Sequence, residues 1–507
     1  MNIPARTFHI QTFGCQMNAS DSEWLVRSLK ARGFAEAPFE EAAFYLLNTC
    51  SVRGKAEQKV YSELGRIARF CKVNQRRNVT VCVGGCVAQQ AGDRIMKRFP
   101  EVRLVFGTDG IARAPEAVSR LAEEPRLRLK LLDFTERYVE RDDTRLCPAG
   151  VEADGSPDIP RPHPDIPACA FVNIMQGCDN YCAYCIVPYV RGAQKSRDAG
   201  AVLAECRALA AGGAREITLL GQNVNSYGLD KNGKAEGAPP FAQLLRSVAA
   251  IPGLERLRFV TSHPKDIAPE VIDAFARLEN LCPRLHLPLQ SGSDRILKAM
   301  NRRYDVARYM DIALRLKKAR PDILLTTDII VGFPGETEAD FQETMRVMRE
   351  VGFASSFSFV YSDRPGARAV LLPGKIERSI ALERLSRLQA WQNQANDSIL
   401  ASMVGEKSVI LIEGKSRLDA LLAEDGGADG DGGTARNAAA PSHGVIGEAE
   451  AGYESWQGKT PQGLIVNVEL PRRSDRGRLE WPGAMVPVVI DAAARHSLKG
   501  RQAGAPW

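Results

Sequence analysis

The stretch Gly177-Cys178-Asp179-Asn180-Tyr181-Cys182-Ala183-Tyr184-Cys185 brings three cysteines into one short turn at C-x3-C-x2-C spacing. Three thiolates at this spacing can bind three irons of a cubic iron-sulfur cluster and leave the fourth iron open to a substrate or cofactor. An apolar-rich run over residues 171–175 precedes the turn and predicts a buried strand. Because parallel α/β folds place their active sites at the C-terminal ends of strands, the turn is predicted to be catalytic.

Two other kinds of metal site fit the turn less well. A structural zinc site normally closes with four Cys or His ligands, and no fourth such residue lies in or beside the turn. A two-cluster ferredoxin has a further Cys followed by Pro, whereas this chain continues Ile186-Val187-Pro188-Tyr189. A zinc or disulfide site stays open as the minor alternative.

The spacing of Cys178, Cys182 and Cys185 resembles the signature of the radical S-adenosylmethionine (SAM) superfamily. The resemblance implies a 4Fe-4S cluster whose open iron chelates the amino and carboxylate groups of SAM. It also implies that one electron from the reduced cluster cleaves the sulfonium to a 5'-deoxyadenosyl radical.

Length, composition and charge indicate the general class of this protein. A chain of 507 residues suggests about three domains, and 44% apolar with 25% charged residues is typical of globular proteins. The net charge of +6 permits a nucleic-acid partner without demonstrating one. The sequence has no apolar run that could span a bilayer and no apolar signal region, so we expect a cytoplasmic protein. The 12 cysteines of a cytosolic chain are better explained by metal or redox chemistry than by disulfides.

The first third of the chain repeats a pattern of strand, cysteine loop and helix. Cys15, Cys50 and Cys86 follow apolar runs at 8–13, 44–47 and 79–83, and their spacing is about one βα unit. Right-handed crossovers would place the three cysteines on one rim of a parallel sheet, where they could bind one cluster. The alternative is three unrelated small residues at strand ends. We predict that the first helix opens at Ser20, with Glu23 completing a capping box.

Three motifs around these cysteines resemble those of the methylthiotransferase family. They are Thr12-x-Gly14-Cys15-Gln16-Met17-Asn18, Asn48-Thr49-Cys50-Ser51-Val52-Arg53 and Gly85-Cys86-Val87-Ala88-Gln89. The resemblance implies that Cys15, Cys50 and Cys86 hold a second 4Fe-4S cluster, also with an open iron, which carries the sulfur to be delivered.

Residues 167–400 alternate strands and helices at a spacing that predicts a partial TIM-type barrel. The predicted strands are 216–220, 256–261, 285–289, 324–331 and 356–361, and several end in polar or Gly-rich turns. For His263 and His286, a structural role and a contact with a cofactor are equally consistent with the sequence. Arg191, Arg364 and Glu336 are plausible polar contacts, but loop residues are often turn or surface groups, so we do not assign them to the site.

The ordered set of turns closely resembles the MiaB-type tRNA methylthiotransferases, and the discriminating stretch is Gly221-Gln222-Asn223-Val224-Asn225-Ser226-Tyr227-Gly228. The resemblance implies conversion of N6-isopentenyladenosine beside the anticodon of tRNA to its 2-methylthio derivative. Two SAM molecules would be used, one as methyl donor and one as radical source. An adenine C2–H bond is neither acidic nor hydride-labile, which fits radical chemistry.

The C-terminal part predicts a long helix over 376–404 and strands over 407–413, 464–468 and 485–490, which favour a small β-barrel. With its basic residues it resembles a TRAM domain, an RNA-binding barrel. The basic residues are Lys415, Arg417, Arg472, Arg473, Arg476, Arg478 and the final run Arg495-His496-Ser497-Leu498-Lys499-Gly500-Arg501. Residues 421–455, rich in Gly, Ala and Asp, predict a disordered insertion.

We therefore expect an α/β protein with a Rossmann-like parallel-sheet domain, a partial TIM-type radical SAM barrel and a TRAM-like barrel. The expected bounds are 1–122, 167–400 and 401–501, with a linker over 123–166. Expected partners are tRNA containing N6-isopentenyladenosine and electron and sulfur donors of unknown identity, with no membrane and a monomeric state. The rival functions are methylthiolation of a ribosomal-protein aspartate or of threonylcarbamoyl-adenosine in tRNA, and a non-catalytic, metal-bearing RNA-binding protein.

Overall fold

The computed structural model describes residues 6–51, 56–76, 79–141, 166–230, 240–416, 452–471 and 481–507. Val52, Arg53, Cys147, Arg417, Arg472, Arg473, Arg476 and Arg478 lie outside these ranges, as do residues 142–165 of the predicted linker and 421–451 of the predicted insertion. Within these ranges, three strand-bearing units follow one another along the chain, and the α/β architecture expected from the sequence is confirmed.

The first unit is a parallel sheet whose described strands are ordered β2-β1-β3-β4-β5-β6. Its strands and helices are β1 (Thr7–Thr12), α1 (Gln16–Ala31), β2 (Ala35–Glu36), β3 (Phe44–Thr49), α2 (Ala56–Val73), β4 (Thr80–Gly85), α3 (Cys86–Arg98), β5 (Val102–Phe106), α4 (Ala114–Glu123) and β6 (Leu129–Leu131). The central strands β3 and β4 are buried throughout, as expected for a parallel sheet covered on both faces. The last strand, β6, lies within the range expected to be linker.

Helix α1 begins four residues before the predicted start, so the predicted capping box at Ser20 was wrong. The N-cap residue is Cys15, directly after Gly14, and the helix runs from Gln16. Ser20 is buried inside the helix, where its hydroxyl accepts a hydrogen bond from Asn173 of the second unit at 3.3 Å. The Ser/Glu pattern therefore reflects a contact between domains and not a helix start.

The second unit is a partial barrel of parallel strands. Its strands and helices are β7 (Cys169–Asn173), β8 (Met175–Gln176), α5 (Val187–Arg191), β9 (Lys195–Ser196), α6 (Ala199–Ala211), β10 (Glu216–Leu220), α7 (Phe241–Ala249), β11 (Arg256–Phe259), α8 (Pro269–Arg277), β12 (Arg284–His286), α9 (Asp294–Ala299), α10 (Val306–Ala319), β13 (Leu324–Val331), α11 (Glu338–Val351), β14 (Ser355–Val360) and α12 (Arg378–Ser402). The sheets β7-β10-β11 and β12-β13-β14 are linked by a parallel bridge between Leu257 and Leu281. Helices cover the outer face around one large apolar core.

The third unit is a closed barrel ordered β15-β16-β17-β19-β18. Its strands are β15 (Lys407–Lys415), β16 (Tyr453–Lys459), β17 (Ile465–Pro471), β18 (Met485–Ala493) and β19 (Leu498–Gln502). Strands β16 and β19 were not predicted. Residues 453–455, predicted to belong to a disordered insertion, form the start of β16 instead, where Ser455 pairs with Glu469.

The third unit packs against the N-terminal ends of the second unit's strands. Arg256 donates to the carbonyls of Lys459 and Val409 at 2.8 and 2.7 Å, and Arg284 donates to those of Gln462 and Gly463. Because the core strands are parallel, their C-terminal ends and the cysteine turn after β7 lie at the opposite end of the barrel.

The first unit packs on the second through buried polar groups. Asp109, after β5, forms a buried ion pair with Lys195 on β9 and accepts from the backbone and hydroxyl of Thr135 at 2.7 and 2.9 Å. The side chain of Gln176 also hydrogen-bonds to Asp109, and the Thr108 hydroxyl donates to the carbonyl of Val190 at 3.1 Å. Such a network defines one orientation, because a displaced domain would leave buried charges unpaired.

None of the helices in the described part of the chain is long and apolar enough to span a membrane.

We expect the substitution Lys195→Met to lower the free energy of unfolding by about 3–5 kcal/mol, because it leaves the Asp109 carboxylate buried without its cation. The matched control is Lys415→Met, whose exposed ion pair with Glu454 spans 3.5 Å, and it should cost about 0–1 kcal/mol. Urea unfolding of both variants beside the unmutated protein measures the difference. Equal costs would contradict the role assigned to the buried pair.

Candidate functional site

The first cysteine set lies at the C-terminal end of the barrel, in the loop between β8 and α5. Cys182 is buried, and Cys178 and Cys185 are partly exposed. The loop is fixed to its surroundings by backbone hydrogen bonds, from Cys178 to Gly192 at 3.3 Å and from Ala183 to Met300 at 2.9 Å. Burial raises the pKa of Cys178 to about 11 and that of Cys185 to about 12.

A buried arginine contacts this set, and sequence reasoning missed it. Arg302 donates to the sulfur of Cys182 at 3.4 Å and to the carbonyl of Pro288 at 2.9 Å. Burial by itself lowers the pKa of Arg302, but Tyr184, Tyr304 and Cys182 raise it well above its ordinary value. The guanidinium therefore stays charged beside the sulfur.

The two histidines of the barrel differ in position. His263 Nε2 lies 4.0 Å from the sulfur of Cys182, and its Nδ1 accepts from the backbone of Lys265 at 3.2 Å. Burial and then the charges of Arg302, Lys265 and Arg303 lower the pKa of His263, so its ring is neutral. His286 is bound instead to Thr326 and Asp328 on neighbouring β13.

The second cysteine set lies on the rim of the first unit, at the ends of neighbouring strands. Cys15 caps α1 after β1, Cys50 follows β3, and Cys86 begins α3 directly after β4. A Cβ atom on Gly14 would lie 2.6 Å from Cβ of Cys50, which explains the glycine beside Cys15. Gly85 has φ +88 and would clash in the same way with the carbonyl of Thr49.

Asparagine side chains join the loops that carry this set. Asn18 donates to the side chain of Asn48 at 2.9 Å and to the carbonyl of Thr49 at 3.1 Å. Asn48 in turn donates to the carbonyl of Asn18 at 2.9 Å and to the hydroxyl of Ser22 at 3.0 Å. Buried amides thus join the loops that carry Cys15 and Cys50, and the Thr49 hydroxyl, which donates to the carbonyl of Gly84 at 2.6 Å, joins the second of these to the end of β4.

Arg191, the last residue of α5, reaches from the barrel into the second cysteine set. It is only 4% exposed, hydrogen-bonds to the Cys86 thiol and donates to the sulfur of Met17 at 3.7 Å. Its Nη2 has no hydrogen-bond partner of N or O type in the described ranges. Burial lowers the pKa of Arg191, but Cys86 and Cys15 raise it above its ordinary value.

The hydrogen bond with Cys50 lowers the pKa of the Cys15 thiol to about 5, although burial opposes the shift, and the charge of Arg191 lowers it further. Hydrogen bonds from the backbone of Asn18 and Met17 lower the pKa as well. Cys15 is therefore largely a thiolate at neutral pH, the form that binds metal.

The two cysteine sets face each other across the interface between the first two units. Cys86 packs against Ile186 and Val190, and Ile186 directly follows Cys185. Gln222 accepts from the backbone of Gly177 at 2.5 Å and also contacts the sulfur of Met17, so it touches both cysteine loops.

Arg364, after β14, lies close enough to Cys50 for their charges to interact. Glu336 instead pairs with Arg384 at 2.7 Å, away from the cysteines.

Buried polar groups without partners lie at the ends of β10 and β11. The side-chain amide of Asn225 lacks a partner for both its nitrogen and its oxygen within the described ranges, as do the Asn223 Oδ1 and Ser262 Oγ atoms. Thr261, beside Ser262, has φ +70, a costly conformation for a β-branched residue. Unpaired polar groups at successive strand ends fit a polar cofactor such as SAM.

The chemistry of both cysteine sets fits an iron-sulfur cluster, whose protein ligands are thiolates. No group of three or more His, Cys, Asp or Glu side chains among the described residues is close enough to hold one metal ion. Each cysteine of a cubic cluster binds a different iron, so its ligand sulfurs stand further apart than the ligands of one ion. Each set also has a buried arginine beside it, which can offset the negative charge of such a cluster.

The other described cysteines do not join either set. Cys71, Cys82, Cys206 and Cys282 are buried, and Cys169 lies at the opposite end of the barrel, 3.9 Å from Glu413.

Comparisons with known proteins agree with this arrangement. Residues 172–348 match the Radical SAM superfamily, and residues 7–107 match the family described as Uncharacterized protein family UPF0004. The chain is 58% identical to the tRNA-2-methylthio-N(6)-dimethylallyladenosine synthase of Oleidesulfovibrio alaskensis, over 98% of this chain and 99% of that one. It is 57% identical to the protein of the same name from Nitratidesulfovibrio vulgaris, over 99% of each chain, and 48% identical to that of Lawsonia intracellularis, over 97% and 98%.

In the cluster-free protein we expect iodoacetamide to alkylate Cys15 at pH 7 much faster than Cys178 or Cys185. Only Cys15 is mainly thiolate there, because its pKa of about 5 lies below this pH while the other two values, about 11 and 12, lie above it. The substitution Arg191→Met should raise the pKa of Cys15 and shift its alkylation profile to higher pH, whereas Arg207→Met, on an exposed helix face, should not. Mass spectrometry of labelled peptides across pH measures this, and equal rates at the three cysteines would contradict it.

Proposed function

Because this chain belongs to the family of tRNA-2-methylthio-N6-dimethylallyladenosine synthases, we propose that it converts N6-isopentenyladenosine beside the anticodon of tRNA into its 2-methylthio derivative. The enzyme is a sulfur-transferring methylthiotransferase of the radical SAM superfamily. The observation that supports the proposal is the packing of Cys86 against Ile186, the residue directly after Cys185, at the interface of the first two units. Sulfur held on one side can meet a radical made on the other.

Cys178, Cys182 and Cys185 would bind the first 4Fe-4S cluster, and Arg302 would balance its charge through Cys182. Asn223, Asn225 and Ser262 offer unpaired polar atoms to SAM. A cluster bound there would supply one electron to SAM, which cleaves to a 5'-deoxyadenosyl radical. The apolar groups Ile186 and Val190 exclude water on the side toward the first unit.

Cys15, Cys50 and Cys86 would hold the second 4Fe-4S cluster, which carries the sulfur for transfer. The turns at Gly14 and Gly85 let the loop after β1 approach Cys50 and the loop after β4 approach Thr49, which supports a shared ligand for the three cysteines. Arg191 places a permanent positive charge against Cys86 and Cys15, which favours an anionic group at this position. One SAM would donate the methyl group to the sulfur and a second would provide the radical.

The proposed substrate is tRNA, and an electron donor and a sulfur donor complete the set of partners. The rival functions are less favoured, because the relatives that match nearly the full chain are named for the isopentenyladenosine reaction. A non-catalytic, metal-bearing RNA-binding protein would not need two open cysteine sets on facing rims.

Replacing Cys178, Cys182 and Cys185 together by Ala should remove about four of about eight irons and abolish 5'-deoxyadenosine formation. Replacing Cys15, Cys50 and Cys86 together should remove a similar amount of iron, preserve SAM cleavage and abolish the methylthio product. Iron analysis and chromatography of the reaction after anaerobic reconstitution separate the two cases. The matched control is Cys206→Ala, a buried cysteine outside both sets, which should keep both activities. Persistent 5'-deoxyadenosine in the first variant, or methylthio product in the second, would refute the assignment.

Deleting the gene should remove 2-methylthio-N6-isopentenyladenosine from bulk tRNA and leave its precursor to accumulate. Mass spectrometry of tRNA nucleosides measures both, and restoring the gene with all six cysteines, but not with Cys50→Ala, should return the product. Unchanged nucleoside levels in the deletion strain would sink the proposed substrate.

A further inference from the structure

Two tyrosines beside the first cysteine set are exposed. Tyr181, within the cysteine turn, is 41% exposed, and Tyr189, on α5, is 43% exposed. Their ring centroids are 6.4 Å apart with the planes at 81°, an edge-to-face contact. An exposed aromatic pair on the rim of an active site is typical of a binding surface, because apolar side chains clustered there gain stability when a partner covers them.

The backbone around Tyr181 is held in a costly conformation. Tyr181, Asn301 and Arg303 have φ of +48, +58 and +58, a region that L residues rarely occupy. The side-chain amide of Asn301 donates to the carbonyls of Tyr181 and Asn180 at 2.9 and 3.3 Å, which ties the two loops together. Such local strain persists where the surrounding structure maintains it, and it concentrates at functional sites.

Positive charge accompanies the exposed rings. Arg303 is exposed on the loop that holds Tyr181, and Lys298 is exposed in the last turn of α9 just before that loop; neither forms an ion pair within the described ranges. Arg302 and Lys265 lie nearby, since both act on the same ring of His263 as Arg303 does. Aromatic rings combined with cations are the usual means of binding unpaired nucleotides.

We propose that Tyr181 and Tyr189 stack on unpaired bases that flank the target adenosine in an RNA loop, while Arg303 contacts a neighbouring phosphate. This inference rests on the proposed function and specifies where the RNA is held. An adenosine can reach the space between the cysteine sets only by leaving its stack, and the two rings replace the stacking lost by its neighbours.

The C-terminal barrel lies far from the cysteine turn, so the RNA also needs contacts with the protein at the rim of the active site. The barrel packs on the opposite end of the core strands. Three of its described cations, Lys415, Lys499 and Arg501, lie within 3.6 Å of Glu454, Glu469 and Asp491, so part of the barrel's positive charge is offset. That barrel can raise overall affinity for RNA but does not position a base near Cys178.

The test is the affinity of the reconstituted enzyme for a fluorescent RNA hairpin that carries N6-isopentenyladenosine in its loop. The double substitution Tyr181→Ala with Tyr189→Ala should raise the Kd at least about 10-fold, from the value of base stacking on aromatic rings. The matched variant Tyr181→Phe with Tyr189→Phe keeps both rings and should stay within about twofold of the unmutated enzyme. The same limit should hold for Leu314→Ala, an exposed apolar residue on α10 away from both the tyrosines and the C-terminal barrel.

A second measurement isolates the charge. The substitution Arg303→Asn, which tolerates a positive φ, should reduce the slope of log Kd against log salt concentration by about 0.7, as expected for one lost phosphate contact in a single strand. Iron content of each variant checks that the fold is intact.

Several outcomes would overturn the inference. An unchanged Kd in the double Ala variant with normal iron content would do so, as would an equal loss of affinity in the Leu314→Ala variant. If the unmutated enzyme neither binds nor modifies the hairpin, the proposed function fails together with the inference. Tight binding and product formation by the unmutated enzyme, with no loss in the Ala variant, overturns only the inference.

Discussion

The buried ion pair between Asp109 and Lys195 is the interaction on which the rest of the site depends. It joins the end of β5 in the first unit to β9 in the second, directly beside the loop that carries Cys178. Each cysteine set is rigid within its own unit, because its residues begin or follow regular elements. Their relation to each other is set by this interface, to which the Thr108 contact to Val190, the Asn173 contact to Ser20 and the Gln222 contact to Met17 also belong. A chemistry that needs both sets therefore depends on a contact that neither contains.

Buried guanidinium groups are the second common feature of the two sets. Arg302 is placed against Cys182, and Arg191 against Cys86 and Cys15. Burying a cation is costly unless an anion accompanies it, and an iron-sulfur cluster bound by these cysteines would supply that anion. Arg191 follows the first cysteine turn in sequence but serves the second set in space. One short helix thus links the place where the radical is proposed to form to the place where sulfur is proposed to be held.

The sequence predicted the strands of the barrel closely because each ends in a turn rich in Gly, Ser or Asn. Strands over 216–220 and 324–331 were predicted with the bounds that the structure has. The predicted start of α1 was wrong. A Ser followed three residues later by a Glu can cap a helix, but the same two residues also occur inside a helix, where Ser20 contacts the second unit. Strand β16 was missed because its polar residues and glycine break the expected alternation. Arg302 and Asn301 could not be assigned, since their partners lie about 120 residues away in sequence. The packing of the small barrel on the far end of the core also depends on tertiary contacts with no local signal.

We propose that the set Cys15, Cys50 and Cys86 and the set Cys178, Cys182 and Cys185 bind two iron-sulfur clusters that face one shared space. Electron paramagnetic resonance of the fully reduced, reconstituted protein tests it most directly. Cys86 of one set contacts Ile186, the residue after the other set. Two reduced clusters bound this close together should interact magnetically and split the signals in the spectrum. Each triple Ala variant, which keeps only one cluster, should lack this splitting. A spectrum that equals the sum of the two variants' spectra would contradict the claim, because it would place the clusters too far apart to serve one substrate.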